Sequence, residues 1–257
     1  MGDLLRVLTY NVRGLRDDIS ALVRVIRATD PDVVCLQEAP RLLRWRPRIA
    51  ALARACALSY VAGGGTTGGT ALLAHLRVGV DRVQEHRLTK RRCLHQRGLA
   101  VARVWVSVGG RPVPADVASV HFGLDGAERV AHAGEVLALI RARDAAPEGT
   151  AAADPSGRLV AAGDLNEAPG GPVWERLAAA GLVDACASAP GRTELTFSTG
   201  NPRRRIDAVF AGAGLGLVQA GVPLHLVDPA DLVAASDHRP LLAVFGLPDH
   251  PPLDSPD

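Results

Sequence analysis

A buried strand that ends in polar side chains runs through Leu159-Val160-Ala161-Ala162-Gly163-Asp164-Leu165-Asn166. Its first five residues are apolar or glycine, which is the pattern of a strand covered on both faces. Asp164 and Asn166 follow two positions apart, so they share a face if the extended geometry continues. A strand end holds side chains still while it presents them to solvent. The stretch therefore predicts a rigid sheet whose edge carries chemically useful polar groups.

The same arrangement recurs along the chain, because other apolar segments also end in polar residues. In chain order, the polar residues that follow such segments are Asn11 after residues 4–10, Glu38 after 33–37, His121 after 117–120, Asp207 after 205–206, and Asp237 with His238 after 234–236. A single Asn or Asp after a strand is often only a turn former. Turn formation explains the accumulation at successive strand ends poorly, whereas a shared site explains it well.

Helical patterns separate these strands, and the alternation sets the fold class. Strands are predicted at 4–10, 32–37, 70–74, 99–108, 117–122, 159–162, 206–210 and 241–245, and helices at 21–27, 48–57, 127–143 and 172–180. Alternation of this kind implies an α/β (α+β) fold of mixed sheets covered by helices, in one domain over residues 1–247. The small-residue stretch 144–157 predicts a surface insertion, and the Pro- and Asp-rich tail 248–257 predicts disorder.

The composition is that of a globular protein, with 47% hydrophobic and 22% charged residues among 257. A net charge of +2 does not indicate a dedicated nucleic-acid coat protein, which usually carries a strong basic excess. The four cysteines are widely spaced, which argues against a zinc knuckle or a disulfide framework. The chain shows neither a secretory leader nor an apolar run of membrane-spanning length. We expect a cytoplasmic monomer without a membrane span.

The polar residues at the strand ends form an oxygen-rich set of carboxylates and asparagine amides without cysteine. Such a set suits Mg²⁺ (or Mn²⁺) better than zinc, because these hard cations prefer oxygen ligands. The histidines then remain free for proton transfer or for stabilising charge on a phosphoryl oxygen. The residues alone therefore favour a metal-dependent hydrolase of phosphate esters.

Six motifs at these strand ends also match a known family in their order. They are Thr9-Tyr10-Asn11-Val12, Leu36-Gln37-Glu38, Ser119-Val120-His121-Phe122, Gly163-Asp164-Leu165-Asn166, Arg205-Ile206-Asp207 and Ser236-Asp237-His238. The chain resembles the endonuclease/exonuclease/phosphatase superfamily, which includes deoxyribonuclease I, exonuclease III-type enzymes, neutral sphingomyelinases and inositol polyphosphate 5-phosphatases. The resemblance runs from about Leu5 to Phe245. It implies a four-layer α/β/β/α sandwich of two packed mixed β-sheets flanked by helices.

The resemblance also implies a metal site. Glu38 is then the principal ligand of Mg²⁺ or Mn²⁺, with Asn11 and Asp237 near the same ion. Whether one ion or two take part stays open.

The resemblance further implies catalytic roles around the scissile phosphate. Asp164 orients or activates the attacking water, and Asn166 holds a phosphate oxygen. His238, polarised by Asp207, acts as a general base or as a phosphate stabiliser. His121 lies on the other side of the phosphate.

The surroundings of His121 depart from some relatives. In deoxyribonuclease I-like members an acid partners this histidine, but the corresponding stretch 67–72 contains none. The partner of His121 therefore stays open. Arg97 falls where some members place a phosphate-binding arginine, and chance is a serious alternative because arginine is frequent in this chain. The glycine-rich stretch Gly63–Gly69 lacks a phosphate-loop pattern and predicts a hairpin or a rim loop of the site.

Three substrate hypotheses remain. A phosphodiesterase or nuclease that acts on nucleic acid is the first, because arginines cluster at 44–48, 91–92 and 203–205. A phosphatase or phosphodiesterase for a small phosphorylated metabolite or lipid headgroup is the second, since aromatic residues make up only 4% of the chain. A non-catalytic scaffold that binds phosphorylated partners is the third, because a fold does not imply a function.

Overall fold

Two six-stranded β-sheets lie face to face between layers of helices in the computed structural model, which describes residues 4–144, 155–189 and 195–247. The first sheet has the strand order β11-β12-β1-β2-β4-β3. Its strands are β1 (Leu4–Asn11), β2 (Val33–Gln37), β3 (Ser59–Gly63), β4 (Ala71–Ala74), β11 (Gly216–Gly221) and β12 (Leu241–Gly246). Within it β1 and β2 run parallel, and the other neighbours are antiparallel.

The second sheet has the strand order β5-β6-β7-β8-β10-β9. Its strands are β5 (Gly79–Arg87), β6 (Gly98–Val108), β7 (Arg111–His121), β8 (Leu159–Asp164), β9 (Val183–Asp184) and β10 (Asp207–Ala211). Here β7 and β8 form the parallel pair. Both sheets are therefore mixed, as the sequence predicts.

Helices cover the outer face of each sheet. They are α1 (Ile19–Thr29), α2 (Trp45–Ala55), α3 (Gly126–Asp144), α4 (Pro172–Ala179) and α5 (Pro229–Ala235). The first, second and fifth pack on the first sheet, and α3 and α4 pack on the second. A third apolar cluster, drawn from both sheets, fills the space between them. The predicted four-layer α/β/β/α sandwich is confirmed.

Local signals explain where α1 begins and ends. The Asp18 side chain accepts hydrogen bonds from the backbone N–H groups of Ser20 and Ala21, which caps the first turn. Asp30, in the left-handed region at φ 42°, ends the helix. Leu22 and Ile26 on the predicted apolar face are buried against the first sheet. These positions are those that the sequence pattern indicates.

Several elements differ from the sequence prediction for physical reasons. The unpredicted β5 is mostly exposed and charged, because it lies at a sheet edge and needs no apolar face. Likewise β3, β9, β11 and α5 are short or lie near sheet edges, so their apolar signal is weak. In α2 the helix starts at Trp45 rather than at 48, since Pro47 in the first turn needs no hydrogen-bonded N–H.

Parts of the predicted insertion and the predicted tail lie outside the described residues. The insertion spans 144–157, and only its ends are described, with a short 3₁₀ turn at Pro155–Arg158. Within the described part of the chain, no helix is both long and apolar enough to cross a membrane.

Candidate active site

The register of the first sheet brings Asn11 and Glu38 to the same edge. Asn11 pairs with Gln37 at the carboxyl ends of the parallel strands β1 and β2, so Glu38 follows one step beyond. Glu38 takes a left-handed conformation at φ 50°, which costs a non-glycine residue energy and is typical of functional positions. Its backbone carbonyl accepts from the N–H of Gly14, and this bond holds the strained position. Glu38 is exposed, whereas Asn11 is buried.

The register of the second sheet brings His121, Asp164 and Asp207 together. His121 pairs with Asp164 at the ends of the parallel strands β7 and β8. Asp207, the first residue of the antiparallel β10, also pairs with Asp164. All three side chains are buried. Strand pairing therefore places residues that are more than 80 positions apart at one sheet edge.

Asp164 lies at the centre of the cluster and joins the two sheets. Its Oδ2 accepts a hydrogen bond from Asn11 Nδ2 at 3.1 Å, and its Oδ1 accepts from the backbone N–H of Asn166 at 2.8 Å. The same Oδ2 lies 3.5 Å from His121 Nε2 and 3.8 Å from His238 Nε2. Asn11 Nδ2 also lies 3.4 Å from Glu38 Oε1.

His238 and Asp207 form a buried pair. His238 Nδ1 lies 2.8 Å from Asp207 Oδ2, so the ring donates there and its Nε2 faces Asp164. Phe197 packs against the ring with 4.9 Å between centroids. The Ser236 hydroxyl donates to the backbone carbonyl of Asn11 at 2.7 Å and accepts from the His238 N–H, which ties this loop to β1. The polarised histidine that the resemblance implies is thus formed geometrically.

His121 has Arg97 as its partner in place of an acid. Arg97 Nη1 lies 2.9 Å from His121 Nδ1. A guanidinium can only donate, so Nδ1 accepts and the ring proton belongs on Nε2. Asn166 Nδ2 lies 3.2 Å from His121 Nε2 and donates to the Phe122 carbonyl at 2.9 Å. Asn166 takes the left-handed conformation that Asn tolerates, at φ 52°.

The buried charges shift three pKa values in different directions. Burial, and then the neighbouring Asp207, raise the pKa of Asp164 to about 7, although His238 and the hydrogen bonds from Asn166 and Asn11 partly oppose the rise. Burial lowers the pKa of His238, but the carboxylates around it, with Asp207 foremost, outweigh burial and raise it to about 9. Burial, and then the positive charge of Arg97, lower the pKa of His121 well below 6.5. Near neutral pH, the site therefore holds a protonated His238 and a neutral His121.

Asp237 lies apart from this cluster in its contacts. Its Oδ2 pairs with Arg13 Nε at 3.3 Å, and its side chain is about a third exposed. The backbone N–H of Arg13 donates to Asn11 Oδ1 at 3.1 Å. Asp237 is therefore linked to Asn11 only through Arg13.

An open pocket of about 510 Å³ adjoins the cluster, although Asp164, Asp207 and His238 are not among its lining residues. Its wall includes the predicted Glu38, Arg97, His121 and Asn166, and also Gly68, so the glycine-rich stretch is a rim loop of the site. Sequence reasoning missed three basic residues that line the pocket, which are Arg16, Arg41 and His95, whereas Arg48 belongs to the predicted arginine cluster at 44–48. The density of arginines just after Glu38 was the only available signal for Arg41.

The residues present fit a hard divalent cation. Asp164, Asp207 and His238 each offer a ligand atom, and these atoms lie within 4.8 Å of one another. Asp207 Oδ1 is buried without a hydrogen-bond partner among the described residues, as a group that awaits a cation or a polar ligand would be. Glu38 adds a carboxylate near Asp164, and the Asn11 amide nitrogen donates to both carboxylates, while Asn11 Oδ1 accepts from the backbone N–H of Arg13. No cysteine belongs to this set, which favours Mg²⁺ or Mn²⁺ over zinc.

Known proteins resemble the chain in sequence pattern and in fold. The pattern of the Endonuclease/Exonuclease/phosphatase family matches residues 8–238. No curated protein matches the chain significantly. An endonuclease/exonuclease/phosphatase from Bacteroides vulgatus superposes with a TM-score of 0.76 at 17% identity, over 95% of this chain and 99% of that one. A Bacteroides thetaiotaomicron mannosyl-6-phosphatase gives 0.72 at 17%, over 93% and 98%. The human Nocturnin catalytic domain with bound sulfate gives 0.66 at 18%, over 95% and 93%.

These three structures each share less than 20% identity with the chain, so they show the shared fold and nothing finer. The family match spans most of the chain and contains all six motifs. Phosphoester hydrolysis is the reaction class of this family, and buried carboxylates beside histidines suit it. The chain belongs to the endonuclease/exonuclease/phosphatase family of phosphoester hydrolases.

Proposed function

We propose that the protein is a divalent-metal-dependent phosphodiesterase that cleaves its substrate by direct attack of water. The observation that carries this proposal is the position of Asp164. Its carboxylate lies between His121 and His238, at 3.5 Å and 3.8 Å, beside a pocket lined with arginines. A phosphate in that pocket contacts Glu38, His121 and several arginines, and the Asp164 carboxylate lies 3.5 Å from Nε2 of His121.

The protonation state of each residue determines its proposed role in the reaction. With a pKa near 7, Asp164 can hold the attacking water and accept its proton. Protonated His238, held by Asp207, neutralises charge on a non-bridging phosphate oxygen. Neutral His121 donates from Nε2, with its ring fixed by Arg97, and Asn166 donates from its amide.

Glu38 would be the principal ligand of Mg²⁺ or Mn²⁺ at the edge of the first sheet, with Asn11 and Asp237 near the same ion. Such a cation neutralises negative charge on the phosphate and on the leaving oxygen. The support for this assignment is the oxygen-rich donor set and the exposure of Glu38 towards the pocket.

The shape of the site favours a diester over a monoester. The pocket is open and holds about 510 Å³, so it has room for a group on each side of a phosphate. A mannosyl-6-phosphatase shares the fold, so a monoester is the second substrate type to test.

Hydrolysis of bis-p-nitrophenyl phosphate and of p-nitrophenyl phosphate tests the proposal, each with Mg²⁺, Mn²⁺ or EDTA. We expect EDTA to abolish diester hydrolysis and Asp164→Asn to lower kcat about 10²- to 10⁴-fold. Asp231→Asn is the matched control, because Asp231 pairs with Arg24 at the surface. Unchanged turnover in Asp164→Asn would exclude this site. A folded protein that binds phosphate but hydrolyses neither compound would instead be a binding scaffold.

A further inference from the structure

A turn beside the pocket combines exposed leucines with a high density of arginines. Residues 41–48 read Arg-Leu-Leu-Arg-Trp-Arg-Pro-Arg, with four arginines and no acid. We call this segment the arginine–leucine turn. Leu42 is 79% exposed and Leu43 is 88% exposed. Arg41, Leu42 and Arg48 line the pocket itself.

A third leucine lies on another part of the same pocket wall. Leu124, in the loop that follows His121, is 78% exposed and lines the pocket together with Leu42. Four large hydrophobic side chains in the described part of the chain are more than three-quarters exposed, and three of them are Leu42, Leu43 and Leu124. Single exposed leucines are common, but three beside one pocket mark an interaction surface.

The turn is anchored, so the leucines do not point outward merely because the segment is loose. The Trp45 ring packs over the glycine-rich rim, where a Cβ atom at Gly64 would lie 2.5 Å from it. It also contacts the Tyr60 ring edge-on, with 6.4 Å between centroids. The backbone N–H of Trp45 donates to the backbone carbonyl of Leu42 at 3.0 Å. The contacts of Trp45 therefore fix the turn in a position where the side chains of Leu42 and Leu43 are exposed to solvent.

Exposed leucines between arginines match the surface of an anionic membrane. Aliphatic side chains enter the boundary between headgroups and acyl chains, while arginines bind the lipid phosphates. Nucleic acid would use the arginines but gains little from the leucines, and no Phe, Tyr or Trp side chain for base stacking lines the pocket in the described residues. Arg205, in another arginine cluster, is buried in an ion pair with Asp184, so it is not available to a polyanion.

We propose that the arginine–leucine turn and Leu124 dock the protein on an anionic lipid membrane, which presents a lipid phosphoester to the pocket. The docking stands on the exposed surface alone. The identity of the substrate rests on the proposed function. The two claims can therefore fail separately.

Co-sedimentation of the full chain with vesicles tests the docking. The vesicles are phosphatidylcholine alone, and phosphatidylcholine mixed with phosphatidylglycerol. We expect binding to the mixed vesicles that weakens at high salt, and about tenfold weaker binding for Leu43→Asp. The matched control is Leu76→Asp, because Leu76 is 83% exposed and lies away from the pocket. Arg44→Gln with Arg46→Gln should weaken binding as well, whereas Leu76→Asp should bind like the unaltered protein.

Three results would overturn the docking. The first is the absence of vesicle binding by folded protein, and the second is equal vesicle binding by Leu43→Asp and the unaltered chain. The third is binding to a single-stranded oligonucleotide that Leu43→Asp does not affect, without vesicle binding. Hydrolysis of bis-p-nitrophenyl phosphate is measured in parallel, since it reports on the catalytic site without a membrane. Vesicle binding without hydrolysis would sustain the docking and count against the proposed function, and hydrolysis without vesicle binding would do the reverse.

Discussion

Arg97 donates from Nη1 to Nδ1 of His121 over 2.9 Å, where deoxyribonuclease I-like relatives are expected to place an acid. A carboxylate in that position stabilises a protonated imidazole, whereas a guanidinium stabilises a neutral one. The contact with Arg97 therefore favours a neutral His121 that donates from Nε2. Arg97 itself brings a positive charge to the wall of the pocket.

Replacement of Arg97 tests this role. In Arg97→Gln, the cation that opposes protonation is gone, so we expect the pKa of His121 to rise and kcat to fall about 10- to 100-fold. Histidine ring signals in NMR report the pKa, and steady-state kinetics report kcat. Arg97→Lys keeps the charge and serves as the control. A His121 pKa that stays equally low in Arg97→Gln would show that burial alone sets it.

The pH dependence of kcat/KM should be bell-shaped. The active form needs Asp164 ionised and His238 protonated, so activity rises through the pKa of Asp164 and falls through that of His238. The acid limb should lie at or below about pH 7, because a bound cation lowers the pKa of a nearby carboxyl further. The basic limb should lie at or below about pH 9, because the same cation disfavours the protonated imidazole of His238.

The Asp207→Asn variant tests whether His238 is the group that causes the basic limb of the pH profile. Asp207 is the first cause that raises the pKa of His238, so its neutral replacement lets burial dominate and lowers that pKa. The basic limb must then move to lower pH, and activity at pH 8 must fall more than activity at pH 6.5. A basic limb that does not move would assign it to another group. His225→Gln, at an exposed histidine outside the site, is the control.

The sequence indicated which polar side chains the strand ends bring together better than it indicated the edges of the fold. Asp164, His121 and Asp207 stand at the ends of buried strands, and an apolar run that stops at a polar residue is readable without coordinates. Strand register then brings them together. The edge strand β5 was not predicted because it buries little, and Arg16 was not predicted as part of the pocket because a surface arginine carries no local pattern. The contacts of Asp237 depend on Arg13, which only tertiary structure can reveal.

Arg205, the last residue of the arginine cluster at 203–205, should contribute to stability rather than to substrate binding. Arg205 makes two hydrogen bonds to the Asp184 carboxylate, at 2.9 Å and 2.7 Å, and stacks over Trp174. In Arg205→Met, the carboxylate loses its partner in a largely buried place, so we expect about 3–5 kcal/mol less stability. Urea unfolding measures the loss. The double variant Arg205→Met with Asp184→Leu should recover much of it, and a single variant as stable as the unaltered chain would contradict the role.

Glu38→Gln should weaken cation binding directly. The change removes one negative charge and leaves the size of the side chain almost unaltered, so the strained backbone at this position need not rearrange. We expect at least about tenfold weaker Mn²⁺ binding by calorimetry, since hard cations depend on carboxylate charge. Glu85→Gln is the control, because Glu85 lies on β5 and accepts a hydrogen bond from Gly63 away from the cluster.

Equal Mn²⁺ affinity in Glu38→Gln and the unaltered protein would move the cation to Asp164, Asp207 and His238, whose ligand atoms already lie within 4.8 Å of one another. His238 could not then remain a protonated stabiliser, because a metal-bound imidazole is neutral, and the basic limb of the pH profile would disappear with it.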